Sequence, residues 1–304
     1  MKDRVHILLA TYNGSEFLRD QLQSIESQTL PFARITVRDD GSTDDTVSQI
    51  ESWAAGRPNV CLLRGPQLGV ARNFFELLAN ADEGCKYFAF CDQDDVWSPH
   101  KLARAVAAIR GYEPGGPVMY CSRVEFVDEK LQHLGLSKVP KMPSFFNALV
   151  ENIAMGCTVV LNAEARTVIV RNLPAQALMH DWWCYLVVSA FGKVAYDATP
   201  SVKYRLHGGN AVGAATCKTE DFRRRITRFL EYDIDAPRLV DQAEEFGRSF
   251  GALLDPSRRE TLRRFLAVRG NVWCRAAYSA RMDVWRQSRV DTTILRTMIL
   301  IGRV

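Results

Sequence analysis

Continuous apolar runs alternate with stretches of helical apolar spacing along the first half of the chain. Residues 5–10 form one such run, and Leu18, Leu22 and Ile25 then recur every three or four positions, which predicts a strand followed by a helix. Residues 35–37, 60–63 and 87–91 predict three more strands. Ser42 and Asp45 have capping-box spacing ahead of Val47, Ile50 and Trp53. Phe74, Leu77 and Leu78 mark a helix before the fourth strand. Ser98-Pro99 opens another, with Leu102, Val106 and Ile109 on one face. Strands alternating with helices predict an α/β fold whose mostly parallel sheet is covered on both sides.

Beyond residue 118 the pattern is mixed. Residues 118–121, 157–161, 193–196 and 202–207 read as strands, and 163–171 and 181–191 as helices. Residues 130–146 form a long segment punctuated by Pro140 and Pro143, a length often found in functional loops. After Gly208-Gly209 the pattern is helical over 222–232, 238–254 and from 258 onward, with breaks at Pro237 and Pro256. This predicts a main domain over residues 1–215 and a helical C-terminal region over 216–304.

The most informative segment is Phe90-Cys-Asp-Gln-Asp-Asp-Val-Trp97. A buried strand ends there in three carboxylates within four positions. Packed acids repel one another and resist desolvation unless a cation neutralises them. Mg²⁺ binds through one or two carboxylates together with substrate phosphates, and ligands of open α/β sheets sit at the C-terminal strand ends. The alternative is a solvated acidic turn before the next helix. Two further loops, Thr11-Tyr-Asn-Gly14 and Asp39-Asp-Gly-Ser-Thr-Asp44, also follow strands. Asp39-Asp40 would repel phosphate and suits acceptance from a base N–H or ribose hydroxyl. Neither the dinucleotide glycine fingerprint nor a P-loop occurs.

Composition narrows the class. The chain has 304 residues, a net charge of +4 and no apolar stretch near the roughly 18 residues of a membrane span. Residues 5–10 are too short for the apolar core of a secretion signal. The eight cysteines form no C-x-x-C pair and read as reduced thiols of a cytoplasmic protein, which argues against zinc. Residues 218–304 carry 18 Lys/Arg against 12 Asp/Glu. Arg223-Arg-Arg225, Arg258-Arg259 and Arg263-Arg264 lie beside apolar positions. Such helices can lie peripherally on anionic membrane or serve packing or a dimer interface. No nucleic-acid recognition motif accompanies them.

Leu8-Leu-Ala-Thr-Tyr-Asn-Gly14, Val37-Arg-Asp-Asp-Gly-Ser-Thr-Asp44, Gly69-Val-Ala-Arg-Asn-Phe74 and the acidic segment occur in this order. They are followed by Gly156-Cys-Thr-Val-Val-Leu-Asn162, His180-Asp-Trp-Trp183, Phe191-Gly-Lys193 and Tyr204-Arg-Leu-His-Gly-Gly-Asn210. Together they resemble family 2 of the inverting GT-A glycosyltransferases, most of all its rhamnosyltransferase-like members that build bacterial surface polysaccharides. The resemblance implies a Rossmann-like mixed sheet and a nucleoside-diphosphate sugar donor, dTDP-rhamnose or a UDP-sugar. It also implies Mg²⁺ or Mn²⁺, and a lipid-linked or oligosaccharide acceptor.

The same resemblance assigns roles. Thr11, Tyr12, Asn13 and Asp39 would hold the nucleotide, Arg72 would lie along it, and Asp92 would face the ribose. Asp94 would coordinate the cation, with His207 completing its shell. Asp181 falls at the catalytic carboxylate, where relatives often have Glu-Asp and this chain has His180-Asp181. Trp97, Cys157 and Trp182 are acceptor-side candidates. Of Trp182 and Trp183, one is expected to face the acceptor and the other the core. His180 is the alternative base, whereas His6 and His133 read as ordinary core or surface histidines. The rival functions are a nucleotidyltransferase, which would need a basic phosphate loop that Thr11–Gly14 lacks, and a non-catalytic scaffold.

Overall fold

The computed structural model describes residues 4–112, 114–208 and 238–304. The predicted helix over 222–232, with Arg223–Arg225, lies outside them. The first half follows the hydrophobic pattern. Strand β1 (Val5–Thr11) is followed by α1 (Leu18–Glu26), β2 (Arg34–Asp39), α2 (Thr46–Ala54), β3 (Val60–Arg64), α3 (Val70–Ala79) and β4 (Tyr87–Cys91). Strands β3, β2, β1 and β4 pair in parallel in that spatial order.

β1 and β4 are buried on both faces, and their alternate residues serve two cores. Leu8, Phe88 and Phe90 face α3, whereas Ile7, Leu9, Tyr87 and Ala89 pack with α1 and α2. Helix α4 (Lys101–Arg110) joins the second layer through Leu102, Val106 and Ile109. Its first residue is Lys101, and no side chain caps it, so Ser98-Pro99 only precedes the helix.

The second half makes the sheet mixed. β4 is followed in space by β8 (Val160–Asn162), β6 (Val118–Val127), β9 (Lys193–Arg205) and the two-residue β5 (Val96–Trp97). β8 runs antiparallel to both its neighbours, and β6 pairs with β9 in parallel. The two strands expected over 193–196 and 202–207 are one, bent by a register shift opposite Ser122–Val124. Residues 156–158 form a 3₁₀ turn ahead of β8 rather than part of the strand. The long segment after residue 130 is not bare loop, since it contains β7 (His133–Leu136) on the edge of β6 and ends in α5 (Phe145–Ala148). Helices α6 (Ala163–Arg171) and α7 (His180–Phe191) follow. α7 is buried almost all round.

The described C-terminal helices are α8 (Leu239–Phe250), α9 (Pro256–Leu266), α10 (Val272–Ala280) and α11 (Arg289–Leu300). Their apolar residues join the core of α3, α5, α6 and α7. Phe246 lies between Phe145 at 5.6 Å and Trp183 at 6.1 Å, centroid to centroid, with Phe250 at 5.3 Å. Leu262 and Phe265, the apolar face of α9, are buried. Its arginines find local partners: Arg263 pairs with Glu260, Arg264 with Asp283 and Arg258 with Asp255. The face α9 would need for lying on a membrane is therefore spent on the core. No helix among the described residues is long and apolar enough to cross a membrane. Phe246→Ala should destabilise the whole protein by about 3–5 kcal/mol, the usual result of emptying a buried aromatic site. Denaturant unfolding would check it, and a loss below about 1 kcal/mol would mean that α8 is peripheral.

Candidate active site

The parallel strands end at one rim, where a cleft of about 830 Å³ opens. The β1, β2 and β4 loops form one wall, and the 150–156 segment with the start of α7 forms the other. Thr11, Tyr12, Asp92, Asp94, Asp181 and Trp182 line it. Of the remaining sequence candidates, His207 adjoins the cleft through Asp94, and the others lie elsewhere.

Asp39 is buried inside its own loop. Its carboxylate accepts from Thr11 Oγ1 (2.9 Å), Ser42 Oγ (2.6 Å) and the Gly41 and Ser42 N–H groups. Ser42 is thus spent on Asp39, and the expected capping box does not form; Asp44 accepts from the Thr46 N–H and hydroxyl instead. Asn13, held at a φ of 46°, accepts from the Thr43 N–H and orders the same loops. Asp40, not Asp39, lines the cleft, and it holds Arg38 together with the Leu68 and Gly69 N–H groups.

Arg72 is exposed and turned toward the Ala175 carbonyl at 3.4 Å, away from the cleft. Trp97 is buried in the α1/α4 core with the Lys101 ammonium 3.3 Å from its ring centroid. It cannot meet an acceptor there. Cys157 is likewise buried, beneath Asp92 and Asp95. Of the two adjacent tryptophans, Trp183 is in the core. Trp182 faces the cleft with its indole N–H donated to the Ala148 carbonyl. His6 is a core residue bonded to Thr36, its pKa lowered by burial to about 4. His133 is on the surface beside Glu125.

The acidic segment is a charge cluster with one cation beneath it. The Asp92 carboxyl is pushed up to about 8 by burial and then by Asp94 and Asp181. Asp95 is raised well above the usual carboxylate range, by burial and then by Asp94 and Asp92. Lys101 is fully buried below them, and burial lowers its ammonium to about 8. Burial and crowding hold protons on Asp92 and Asp95, and a divalent cation would take the place of those protons, so the cluster fits one. Asp94 Oδ2 and His207 Nε2 stand 2.8 Å apart at its open side, where they could share such an ion.

Two residues not picked out from sequence build this geometry. Arg205 is buried, donates Nε to the Asp94 carbonyl (3.0 Å) and Nη2 to Asp20 (2.7 Å), and its N–H bonds Asp95. Gln93 grips the backbone of Tyr12 with both ends of its amide, at 2.8 and 2.9 Å. A Cβ on Gly14 would fall 2.1 Å from that amide, so this position must be glycine while the grip holds. Gly14→Ala and Gln93→Ala should each weaken nucleotide binding by about 1–3 kcal/mol, and the double variant should be no worse than either alone. Additive losses in calorimetry would sink the shared cause.

Asp181 lies in the first turn of α7 and is 6% exposed. Burial raises its carboxyl to about 6, against the pull of the Trp182 N–H at 2.7 Å, Asn152 and the Gly156 N–H. His180 is stacked on Phe74 at 3.9 Å and, by burial, titrates near 3. It is therefore neutral at working pH and too weak a base to replace Asp181.

A curled mixed sheet with acids at its strand ends and a buried carboxylate opposite defines a nucleotide-sugar transferase of GT-A type. The family model for glycosyl transferase family 2 matches residues 6–163, and the chain belongs to that family. A dTDP-rhamnosyl transferase of Shigella flexneri, RfbG, is 29% identical over 223 residues, covering 68% of this chain and 74% of that protein. A glycosyltransferase of Nostoc sp. is 23% identical over 94% of this chain and 88% of its own length. Among solved structures, S. aureus TarS 1-349 with UDP-GlcNAc superposes with a TM-score of 0.57 at 16% identity, covering 99% of this chain and 88% of that one. The protein is a glycosyltransferase with the GT-A fold.

Proposed function

We propose that the protein moves a sugar from a nucleoside-diphosphate donor to an acceptor hydroxyl with inversion at the anomeric carbon. Its place would be the assembly of a bacterial surface glycan at the cytoplasmic face of the membrane. Residues 1–215 would form the transferase domain, and the helices of 216–304 would complete it. The observation that carries this reading is Asp181: one carboxylate in the same cleft as Asp92 and Asp94, tuned to about 6. The relative named for dTDP-rhamnosyl transfer favours a dTDP-rhamnose donor over a UDP-sugar.

Asp181 would take the proton of the attacking hydroxyl, which is a poor nucleophile until it is deprotonated. Thr11 and Tyr12 would form the nucleotide wall, with Asp39 and Asn13 keeping that wall in shape rather than reading the base. Asp92 would face the donor, and the ring of Trp182 would support the acceptor sugar, since its N–H is already used. Asp94 and His207 would hold Mg²⁺ or Mn²⁺, which when bound stabilises charge developing on the departing diphosphate. A panel of nucleotide sugars with Mn²⁺ tests this by thermal shift, because a ligand that binds only the folded state raises its melting temperature. The dTDP-linked donor should give the largest rise. No shift with any donor would defeat the reading.

A further inference from the structure

A second cavity adjoins the cleft and carries the opposite charge. It measures about 420 Å³ and shares Arg286 with the cleft. Lys141, Arg286, Arg289 and Arg296 line it, and no acidic residue among the described ones does. Arg289 and Arg296 stand two turns apart on α11, so they share one face. Lys141 comes from the opposite side, and its segment is pinned there. Gln287 Oε1 accepts the Lys141 N–H at 2.7 Å, and Gln287 Nε2 donates to the Met142 carbonyl at 3.3 Å. Arg286 is anchored between the two cavities by donating Nε to the Val150 carbonyl at 3.0 Å.

Arg248, Arg258, Arg263, Arg264 and Arg269 each pair with an Asp or Glu. Lys141, Arg289 and Arg296 form no ion pair among the described residues. Glu151, the nearby acid on the cleft side, is occupied by the Gln287 N–H at 2.6 Å and by Asn147 at 2.9 Å. Convergent cations such as Lys141, Arg289 and Arg296 raise the local concentration of anions. Several guanidinium groups around one cavity suit the multiple oxygens and charge of a phosphoryl group better than a single carboxylate.

We propose that this pocket binds a phosphoryl group carried by the acceptor, so that the acceptor is a phosphate- or diphosphate-bearing glycan. The word acceptor rests on the glycosyltransferase reading; the anion site stands on the pocket itself. The pocket meets the cleft at Arg286, on the wall of Val150, Asn152 and Trp182, across from the strand-end acids. That places it on the acceptor side of Asp181 rather than with the donor diphosphate.

Titration of the full-length protein with inorganic pyrophosphate in EDTA tests this. The wild type should bind, and Arg289→Ala/Arg296→Ala should weaken binding by about tenfold or more, with Lys141→Ala weakening it separately. Nucleotide diphosphate with Mn²⁺ should bind the variants as it binds the wild type, showing that they are folded, and should not displace pyrophosphate. Phosphatidylcholine vesicles with and without phosphatidylglycerol form the second arm. Vesicle adsorption that needs these arginines, without pyrophosphate binding, would overturn the proposal in favour of a lipid headgroup. Equal pyrophosphate affinity in wild type and variants, or its full displacement by the nucleotide, would overturn it as well. Because the readout is binding without turnover, such a failure leaves the donor site's own nucleotide test untouched.

Discussion

Asp181→Asn should cut sugar transfer by about 10²–10⁴-fold, the usual contribution of a positioned base, while nucleotide binding stays near wild type. The same change should make the folded protein more stable at neutral pH. Burial raises the Asp181 carboxyl from 3.8 to about 6, so above pH 6 the native state holds a charge that the unfolded chain would hold more easily. The native advantage is complete below pH 3.8 and disappears as the pH rises through about 6. Asn carries no such charge, so the gain at pH 7.5 is about 3 kcal/mol at most, vanishing near pH 4. Wild-type transfer should fall about tenfold per unit as the pH drops below 6. Melting curves in EDTA at the two pH values, with a pH–rate profile, check both halves. Wild-type activity in the variant, or an unchanged stability difference across pH, would remove Asp181 from the role.

Asp94→Ala should abolish metal-dependent nucleotide binding, with an affinity loss of at least about 100-fold in Mn²⁺. Binding measured in EDTA should change little, and the fold should persist, because the Asp94 side chain is partly exposed and bonds only His207 among the described residues. Calorimetry with and without Mn²⁺ separates these outcomes. Undiminished Mn²⁺ dependence in the variant would move the ion toward Asp92, Asp95 and Cys157, whose ligand atoms lie within 4.8 Å of one another. Cys157 makes that alternative chemically poor, since burial and then Asp95 hold its thiol protonated.

The parts legible in the sequence were those set by local pattern. β1 and β4 are continuous apolar runs because both faces are covered, and α1, α3 and α4 show their buried stripes directly. The acids of the β4 end and Asp181 were legible because residue type and order carry them. What failed depended on contacts distant in sequence. Ser42 has the spacing of a cap, but Asp39 competes for its hydroxyl and wins through a loop that Thr11 also joins. Trp97 is close to the acids along the chain, yet β5 turns it into the core against Lys101. Arg72 sits in a matching motif on the outer side of α3.

Lys101 could have been found. It lies four and eight residues before Ala105 and Ile109, on the stripe that α4 buries, which marks it as a cation destined for the interior. The Gln93 grip and the Arg205 bonds had no such signal, since each joins groups more than 80 residues apart.

Helix α7 gives the exchange of parts between relatives an unexpected boundary. The family match ends at residue 163, yet the candidate catalytic carboxylate is at 181, on a helix whose outer flank is sealed by Phe246 and Phe250 of α8. A chimera joined near residue 163 would place a foreign helix under a lid shaped for Trp183, and it would replace the candidate base together with the cleft wall that carries Trp182. Grafts that move α7 and the C-terminal helices as one piece keep that seal. In recombination, donor choice and acceptor choice would then be inherited as two blocks with their seam after α6, rather than at the point where the sheet ends and the helices begin.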